Sequence, residues 1–233
     1  MPASPNTALG ALLMVVCMSI IGLIDNYVGI IAENAGLWQF HFVRSAMVCS
    51  ALLVLSLLYG WRIRPRNWRG VAVRSIFGAI SMAVYFGALA FMPIAQVGAG
   101  LFTAPLFVLL FSVLFFEERI GVWRVVASVI GFCGVTMVLK LDVTALQFVM
   151  VFPMLAGITW AMTALSTQYL CDGEDTVTLL FWFFFALGVL GVIGLCLMAF
   201  GMDDGRSFIS TGWRFPNFIF LKWTILQAML SMV

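Results

Sequence analysis

The chain has 233 residues, of which 64% are hydrophobic and 9% are charged, and its formal net charge is +2. Soluble domains are about 45–50% apolar and about 25% charged, so this composition excludes an ordinary soluble protein. Most of the arginines stand at the ends of apolar runs, so the small positive charge indicates no nucleic-acid partner. Several runs reach the ~20 residues that a helix needs to cross a bilayer. The sequence therefore predicts an all-α, polytopic membrane helix bundle surrounded by the lipid bilayer.

Seven apolar stretches are long enough to span a membrane, and an eighth stretch is shorter. We place the seven spans at about residues 8–31, 38–59, 70–91, 95–116, 122–139, 148–170 and 176–200. The eighth would begin near Phe218 and run to Val233. Because the connections within the first five spans are short, we expect consecutive helices to pack antiparallel against each other.

Arginines predict the orientation of these spans. The loop between the second and third spans carries Arg62, Arg64, Arg66 and Arg69, whereas the opposite side of the first half offers only Lys140. Loops rich in Lys and Arg stay in the cytoplasm, so we expect a cytoplasmic N-terminus. Setting the topology is the simplest role of the basic loop. Binding of lipid headgroups or a regulatory site is the alternative.

Pro105 lies near the middle of the fourth predicted span. A proline inside a helix frees a backbone carbonyl one turn earlier and bends the helix. In a membrane, protein or a water-filled cavity must satisfy that carbonyl. We therefore expect a bend at Pro105, with the proline facing the bundle interior. The corner that follows, Glu117-Glu118-Arg119, should lie in water or among headgroups.

A set of residues occurs in a characteristic order between Ala88 and Leu139: Pro93, Pro105-Leu106-Phe107, Ser112, Glu118-Arg119 and Gly134-Val135. This order resembles the end of the first repeat in EamA-type members of the drug/metabolite transporter superfamily. Ala127 stands where that family usually has glycine. The resemblance implies a five-helix repeat over residues 8–139 and a truncated, inverted second repeat over residues 148–233. Inversion follows because five spans that start inside end outside.

The resemblance implies a secondary transporter of a small-molecule substrate in the bacterial inner membrane. Amino acids, vitamins and nucleoside-like metabolites are the expected substrate classes. We expect the second repeat to be incomplete, because the sequence has one Glu-Arg corner, Glu118-Arg119, and its last apolar stretch ends at Val233. The alternative is therefore a truncated, non-transporting membrane fragment of such a transporter. A chain whose last helices lack partners is also expected to be degraded or to form a homo-oligomer.

An integral membrane enzyme is a third possibility with little support. His41 is the single histidine, and the five cysteines form no C-x-x-C motif. The sequence shows no acidic cluster suited to a metal and no nucleophile at usable spacing from a base. It therefore predicts no catalytic residue, no metal site and no cofactor.

Two ionisable residues are placed deep in the predicted spans. Asp25 in the first span and Arg44 in the second each lie about six residues from the outer end, which is roughly 9 Å below the outer surface. Opposite charges at one depth on neighbouring antiparallel helices predict an ion pair. The pair either locks the two spans together or takes part in substrate or proton coupling.

Further polar residues are candidates for substrate binding. Asn26 and Tyr85 contribute polar atoms in the first half, and Thr159 and Thr163 share one face of the sixth span. That face serves hydrogen bonding between helices or lines a central cavity. Trp160 follows Thr159 and either packs against other helices or stacks on a substrate.

Overall fold

The computed structural model describes residues 12, 15, 16, 19, 20, 22, 31, 34–89, 92–117, 121–138, 151–202, 209, 211–214 and 218–232. All regular structure in these residues is helical, which confirms the predicted all-α bundle. The helices are α1 (Leu37–Tyr59), α2 (Trp68–Ala88), α3 (Ile94–Leu101), α4 (Ala104–Phe116), α5 (Val122–Val138), α6 (Val151–Leu170), α7 (Thr176–Leu197, extended by a π-helical turn at Met198–Met202) and α8 (Phe218–Leu230).

Four segments of the described part are long and apolar enough to cross a membrane: Leu37–Tyr59, Trp68–Ala88, Gln96–Phe116 and Thr176–Phe200. They correspond to the second, third, fourth and seventh predicted spans. Their outer surfaces carry large exposed apolar side chains, for instance Leu57 and Ile76, which suits contact with lipid. Of the first predicted span only isolated residues are described, and Asp25 and Asn26 lie outside them.

The helices have partners that the short connections do not predict. α1 packs chiefly on α7, and α2 packs chiefly on α6 and α7, while α1 and α2 touch each other little. The expectation that consecutive helices pack together is therefore wrong for α1 and α2. A short loop limits the distance between the end of one helix and the start of the next. Which helix becomes the main packing partner depends instead on the burial of complementary faces. α3 and α4 lie on α6, and α8 lies on α1.

A stripe of glycines explains the contact between α1 and α7. Gly188, Gly191 and Gly194 recur every three residues on α7. A Cβ atom at Gly191 would lie 2.9 Å from the backbone nitrogen of Phe42, and one at Gly194 would overlap the ring of Trp38. Small residues let two membrane helices approach until their backbones touch. The stripe therefore fixes where α7 crosses α1.

The fourth predicted span is interrupted next to the expected bend, but the proline does not face inward. The break lies at Phe102–Thr103, and Pro105 occupies the first turn of α4. In that position a proline has no intrahelical N–H bond to lose, so its exposed ring needs no interior partner. The prediction that Pro105 faces the bundle interior is therefore wrong.

The polar atoms at this break turn towards α6 instead. The Thr103 hydroxyl, 6% exposed, donates to the carbonyl of Gly100 at 2.5 Å. A Cβ atom at Gly157 of α6 would come within 2.7 Å of that same carbonyl. Thr103 thus satisfies a carbonyl that the break exposes, and Gly157 lets the broken segment approach α6 closely.

Candidate functional site

Arg44 on α1 is a charged side chain that the bundle buries almost completely, with 4% of its surface exposed. Its guanidinium carbon lies 4.9 Å from the ring centroid of Phe40, 5.0 Å from that of Phe86 and 5.5 Å from that of Phe184. These rings come from α1, α2 and α7. A desolvated cation gains up to about 2 kcal/mol from an aromatic face. We call Arg44 and its three phenylalanines the Arg44 cage.

Gln227 brings a fourth helix to the cage. Arg44 Nη1 donates to Oε1 of Gln227 on α8 at 3.5 Å, the long end of hydrogen-bond geometry. The Gln227 side chain is itself 5% exposed, so α8 buries an amide beside the cation. The cage therefore lies where α1, α2, α7 and α8 meet.

His41 lies beside the same rings. Its ring centroid is 5.4 Å from those of both Phe40 and Phe86, and its side chain is fully buried. Neither ring nitrogen has a hydrogen-bond partner among the described residues. The described part holds no group of three His, Cys, Asp or Glu side chains that suits a metal ion. His41 therefore presents an unused donor and acceptor next to the cage.

Tyr85 is the other predicted site residue that belongs to this neighbourhood. It is 7% exposed and packs edge-on against Phe86 with ring centroids 5.3 Å apart. Tyr85, Phe86 and Phe40 form one apolar cluster with Ala156 of α6. The structure thus brings Tyr85 and Arg44 to the same ring, that of Phe86.

The threonines of α6 share a buried face, but their hydroxyl groups bond within their own helix. Thr159 donates to the carbonyl of Leu155 at 2.8 Å, and Thr163 donates to the carbonyl of Thr159 at 2.9 Å. A hydrogen bond between α2 and α6 comes from Ser81 of α2, which donates to the carbonyl of Ala156 at 2.8 Å. The face therefore packs against α2 chiefly through its apolar atoms.

Trp160 lies apart from this buried face, with 37% of its surface exposed. Asp25 and Asn26 lie outside the described residues, so their place at the cage and the Asp25–Arg44 pair stay predictions. Sequence reasoning missed Gln227 and the cage phenylalanines. The chain has 22 phenylalanines, and no spacing distinguishes these three. An amide in a short apolar stretch is the signal that marks Gln227.

A second polar network lies at the end of the bundle where α2 begins. Arg74 donates to the Thr167 hydroxyl of α6 at 3.0 Å and to the carbonyl of Leu179 on α7 at 2.8 Å. Glu174, in the connection between α6 and α7, accepts the backbone N–H groups of Arg66 and Asn67 at 2.7 and 2.6 Å. The network fastens the start of α2 to α6 and α7.

We call residues 61–67 the arginine loop, and two side chains of α7 hold it. The Thr178 hydroxyl donates to the carbonyl of Arg62 at 2.7 Å, and Trp182 Nε1 donates to the carbonyl of Ile63 at 2.9 Å. Burial raises the pKa of the Cys171 thiol beside this network, while the nearby Arg74 acts in the opposite sense. The loop is thus held chiefly through its backbone groups, and the Arg62 side chain adds a hydrogen bond to the carbonyl of Arg64 at 2.9 Å.

A bundle of apolar helices with a cation buried at the junction of four of them is typical of membrane transport proteins. The family comparison agrees. Residues 8–140 match the EamA-like transporter family, which is more than half of the chain, so the chain belongs to that family. The resemblance found in the sequence is thereby confirmed.

Curated proteins similar to this chain are named as transporters or exporters. The chain is 27% identical over 177 residues to a riboflavin transporter of Rhizobium johnstonii, which covers 76% of this chain and 57% of the relative. It is 30% identical over 154 residues to a riboflavin transporter of Brucella anthropi, covering 65% and 52%. It is 26% identical over 163 residues to the pseudopaline exporter of Pseudomonas aeruginosa, covering 69% and 56%. The chain thus matches little more than half the length of each of these relatives.

Proposed function

We propose that this chain is a secondary transporter of a small metabolite, set in the bacterial inner membrane with its N-terminus in the cytoplasm. The observation that carries the proposal is the Arg44 cage. Burying a charge among apolar helices is costly, so ionisable groups inside membrane spans mark substrate or ion pathways. Membership of the EamA-like transporter family supports the same conclusion.

The chemistry of the cage favours a planar substrate that carries acceptor groups. A guanidinium presents donors in a rigid fork that matches carboxylate, phosphate or paired carbonyl oxygens. Rings such as Phe86 and Phe184 offer faces on which a heteroaromatic ring stacks. His41 adds a donor and an acceptor that the described residues leave unused. A vitamin or nucleoside-like compound meets these requirements better than an aliphatic amino acid does.

The other predicted binding residues take supporting roles in this proposal. Asp25 balances the charge of Arg44 and takes up a proton or releases it as substrate moves, and Asn26 lies one residue further along the first span. Tyr85 completes the aromatic wall. Thr159 and Thr163 set the distance between α6 and α2.

We further propose that residues 8–139 and 148–233 are inverted repeats, offset by five spans. Under that relation α1 and α7 are counterparts, and so are α2 and α8. The contacts of α2 with α7 and of α8 with α1 are then the same contact seen from the two halves. A central site at the boundary of two such repeats recurs among secondary transporters. The Arg44 cage, built from α1, α2, α7 and α8, has such a position.

The test is substrate flux in proteoliposomes that contain the purified chain. Riboflavin is the first compound to measure because two of the relatives are riboflavin transporters. Pseudopaline and an amino-acid panel follow. We expect flux of one compound class, its loss in Arg44→Gln, and parental flux in the control Arg124→Gln, whose arginine lies at the start of α5. Parental flux in Arg44→Gln would refute the site. A well-inserted chain that moves no compound would instead favour the non-transporting membrane protein considered above.

A further inference from the structure

An apolar groove of about 370 Å³ runs along the outer surface of the bundle between α2 and α7. Its floor is made of small side chains such as Ser75 and Ala79, which are 2% and 3% exposed. Its walls are large side chains that are open to the surroundings, among them Ile76, Phe185 and Ile193. The groove therefore opens sideways, towards the bilayer, and not towards the Arg44 cage.

The length of the groove matches one leaflet. The α2 wall runs from Trp68 to Ile80, which is roughly 18 Å at ~1.5 Å per residue. Half of the ~30 Å hydrocarbon core of a bilayer is about 15 Å. A narrow apolar channel of that length suits the acyl chain of a lipid lying along the protein.

Two tryptophans mark one end of the groove and connect it to the arginine loop. Trp68 and Trp182 meet edge-to-face at that end, with ring centroids 4.5 Å apart. Tryptophan prefers the depth at which headgroups meet hydrocarbon. Trp182 also donates its indole N–H to the carbonyl of Ile63, so one side chain both lines the groove and holds the loop.

Two basic residues, Arg64 and Arg69, belong to the segment at this end of the groove. Arg69 precedes Ala72 and Ile76, two wall residues, by three and seven positions and therefore lies on the same face of α2. Arg64 follows Ile63 directly, and both arginines are exposed. The Arg66 side chain has a different neighbour, because its guanidinium lies 3.5 Å from the Cβ position of Gly173, in the connection between α6 and α7. The end of the groove at the tryptophans is thus positively charged.

We propose that this groove binds an anionic phospholipid, with an acyl chain between α2 and α7 and the headgroup phosphate at Arg64 and Arg69. An apolar groove alone accepts any lipid, and the two arginines select an anionic one. This site is independent of the proposed transport function.

Native mass spectrometry of the intact purified chain tests the proposal with two probes, phosphatidylglycerol and phosphatidylcholine with identical acyl chains. We expect the protein to retain more phosphatidylglycerol than phosphatidylcholine in the spectra. In a separate thermal-unfolding measurement, phosphatidylglycerol should raise the melting temperature of the protein more than phosphatidylcholine does. The Arg64→Gln/Arg69→Gln double variant should bind phosphatidylglycerol roughly thirty-fold more weakly. Arg124→Gln removes an exposed arginine away from the groove and should bind as the parent does.

A second pair of variants tests the acyl-chain channel itself. Ala72→Trp fills the groove and should abolish selective retention, whereas Ala127→Trp makes the same change on the exposed surface of α5 and should not. If the arginine double variant fails to fold, the headgroup comparison on the parent and the two tryptophan variants still decide the question.

Four outcomes would overturn the proposal. They are equal retention of both lipids, parental binding in Ala72→Trp, parental binding in the arginine double variant, and equal stabilisation by inorganic phosphate without an acyl chain. A photoreactive side chain at position 72 that links to a second protein chain, and not to lipid, would overturn it as well.

Discussion

Two arginines of the described helices enter the interior of this bundle, and they are held in different ways. Arg74 on α2 donates hydrogen bonds of ordinary length to Thr167 and to the carbonyl of Leu179, at 3.0 and 2.8 Å. Arg44 on α1 lies among three ring faces and reaches Gln227 at 3.5 Å. Arg44 connects α1, and Arg74 connects α2, to helices of the second half of the chain. Arg74 does so through hydrogen bonds, and Arg44 does so chiefly through cation–π contacts.

The difference supports a structural role for Arg74 and the substrate-binding role that we propose for Arg44. Hydrogen bonds from a guanidinium are directional, so Arg74 fixes α2, α6 and α7 in one arrangement. Ring faces attract a cation with a weaker dependence on direction. Ring contacts restrict the orientation of a guanidinium less than hydrogen bonds do, which suits the role at substrate that we propose for Arg44. Arg74 should therefore affect stability without affecting flux, whereas Arg44 should affect flux in addition to abundance.

The largest effect should come from separating the helices that carry the cage. Gly191→Leu places side-chain atoms against the backbone of α1, where a Cβ atom already comes within 2.9 Å of Phe42. Overpacking costs about 1–3 kcal/mol when neighbouring side chains adjust, and a helix backbone adjusts less readily. We expect no monodisperse protein on size-exclusion chromatography in detergent. Gly131→Leu on α5, where a Cβ atom meets nothing within 4 Å, should behave as the parent does. Equal yields of the two variants would contradict the close crossing.

The next effect concerns the predicted pair of Asp25 and Arg44. Removing one member of a buried ion pair costs about 3–5 kcal/mol, because the other charge is left uncompensated. Asp25→Asn and Arg44→Gln should each lower membrane abundance, and the double variant should recover it. If the pair also binds substrate or protons, the double variant should recover abundance without flux. Parental abundance and flux in both single variants would show that the pair does not form.

Arg74→Gln should act on stability by a smaller amount. It removes two charge-assisted hydrogen bonds, each worth about 1.5–3 kcal/mol at most in a buried setting, and the shorter amide recovers part of that. We expect the melting temperature in lipid-free detergent to fall by several degrees, with residual flux per folded molecule unchanged. Arg69 is an exposed arginine on the same helix, so Arg69→Gln should have the melting temperature of the parent in lipid-free detergent. A selective loss of flux in Arg74→Gln would remove the contrast with Arg44.

The smallest effect should come from Glu174→Gln. The glutamine oxygen still accepts the N–H groups of Arg66 and Asn67, so only the charge at the start of α2 is lost. Charges at helix N-termini are worth about 0.3–1 kcal/mol. We expect a small decrease of the melting temperature that shrinks as salt is added, with Asp172→Asn as the control. A decrease as large as that of Arg74→Gln would mean that the arginine loop depends on the carboxylate charge.

Much of this fold could be predicted from the sequence because lipid imposes a simple rule. An apolar run of about 20 residues must be a helix, so the helices lie where the runs lie. A bend at Pro105 was predicted for the same reason, and the helix is interrupted next to it, at Phe102–Thr103. The orientation of the proline was predicted wrongly, because whether a proline interrupts a helix or begins a new one depends on neighbours such as Thr103 and Gly157.

The site was predictable only through its charge. Arg44 could be singled out because a cation in an apolar run is rare. Its partners Phe184 and Gln227 lie about 140 and 183 residues further along the chain, and no local pattern joins them to it. Complementary surface shape determines which helices pack together, as at Gly191. The spacing of residue types in a single sequence does not reveal that shape.

The pairing of α1 with α7 has a consequence for biosynthesis. α1 ends at Tyr59 and α7 begins at Thr176, so the partner of α1 is synthesised roughly 120 residues later, about 6–25 s at ~5–20 residues per second. During that interval the face of α1 that will meet the glycine stripe, including Trp38 and Phe42, must be shielded by lipid or by the insertion machinery. The rate of translation between these two helices therefore sets how long an unfinished, interaction-prone helix stays in the membrane.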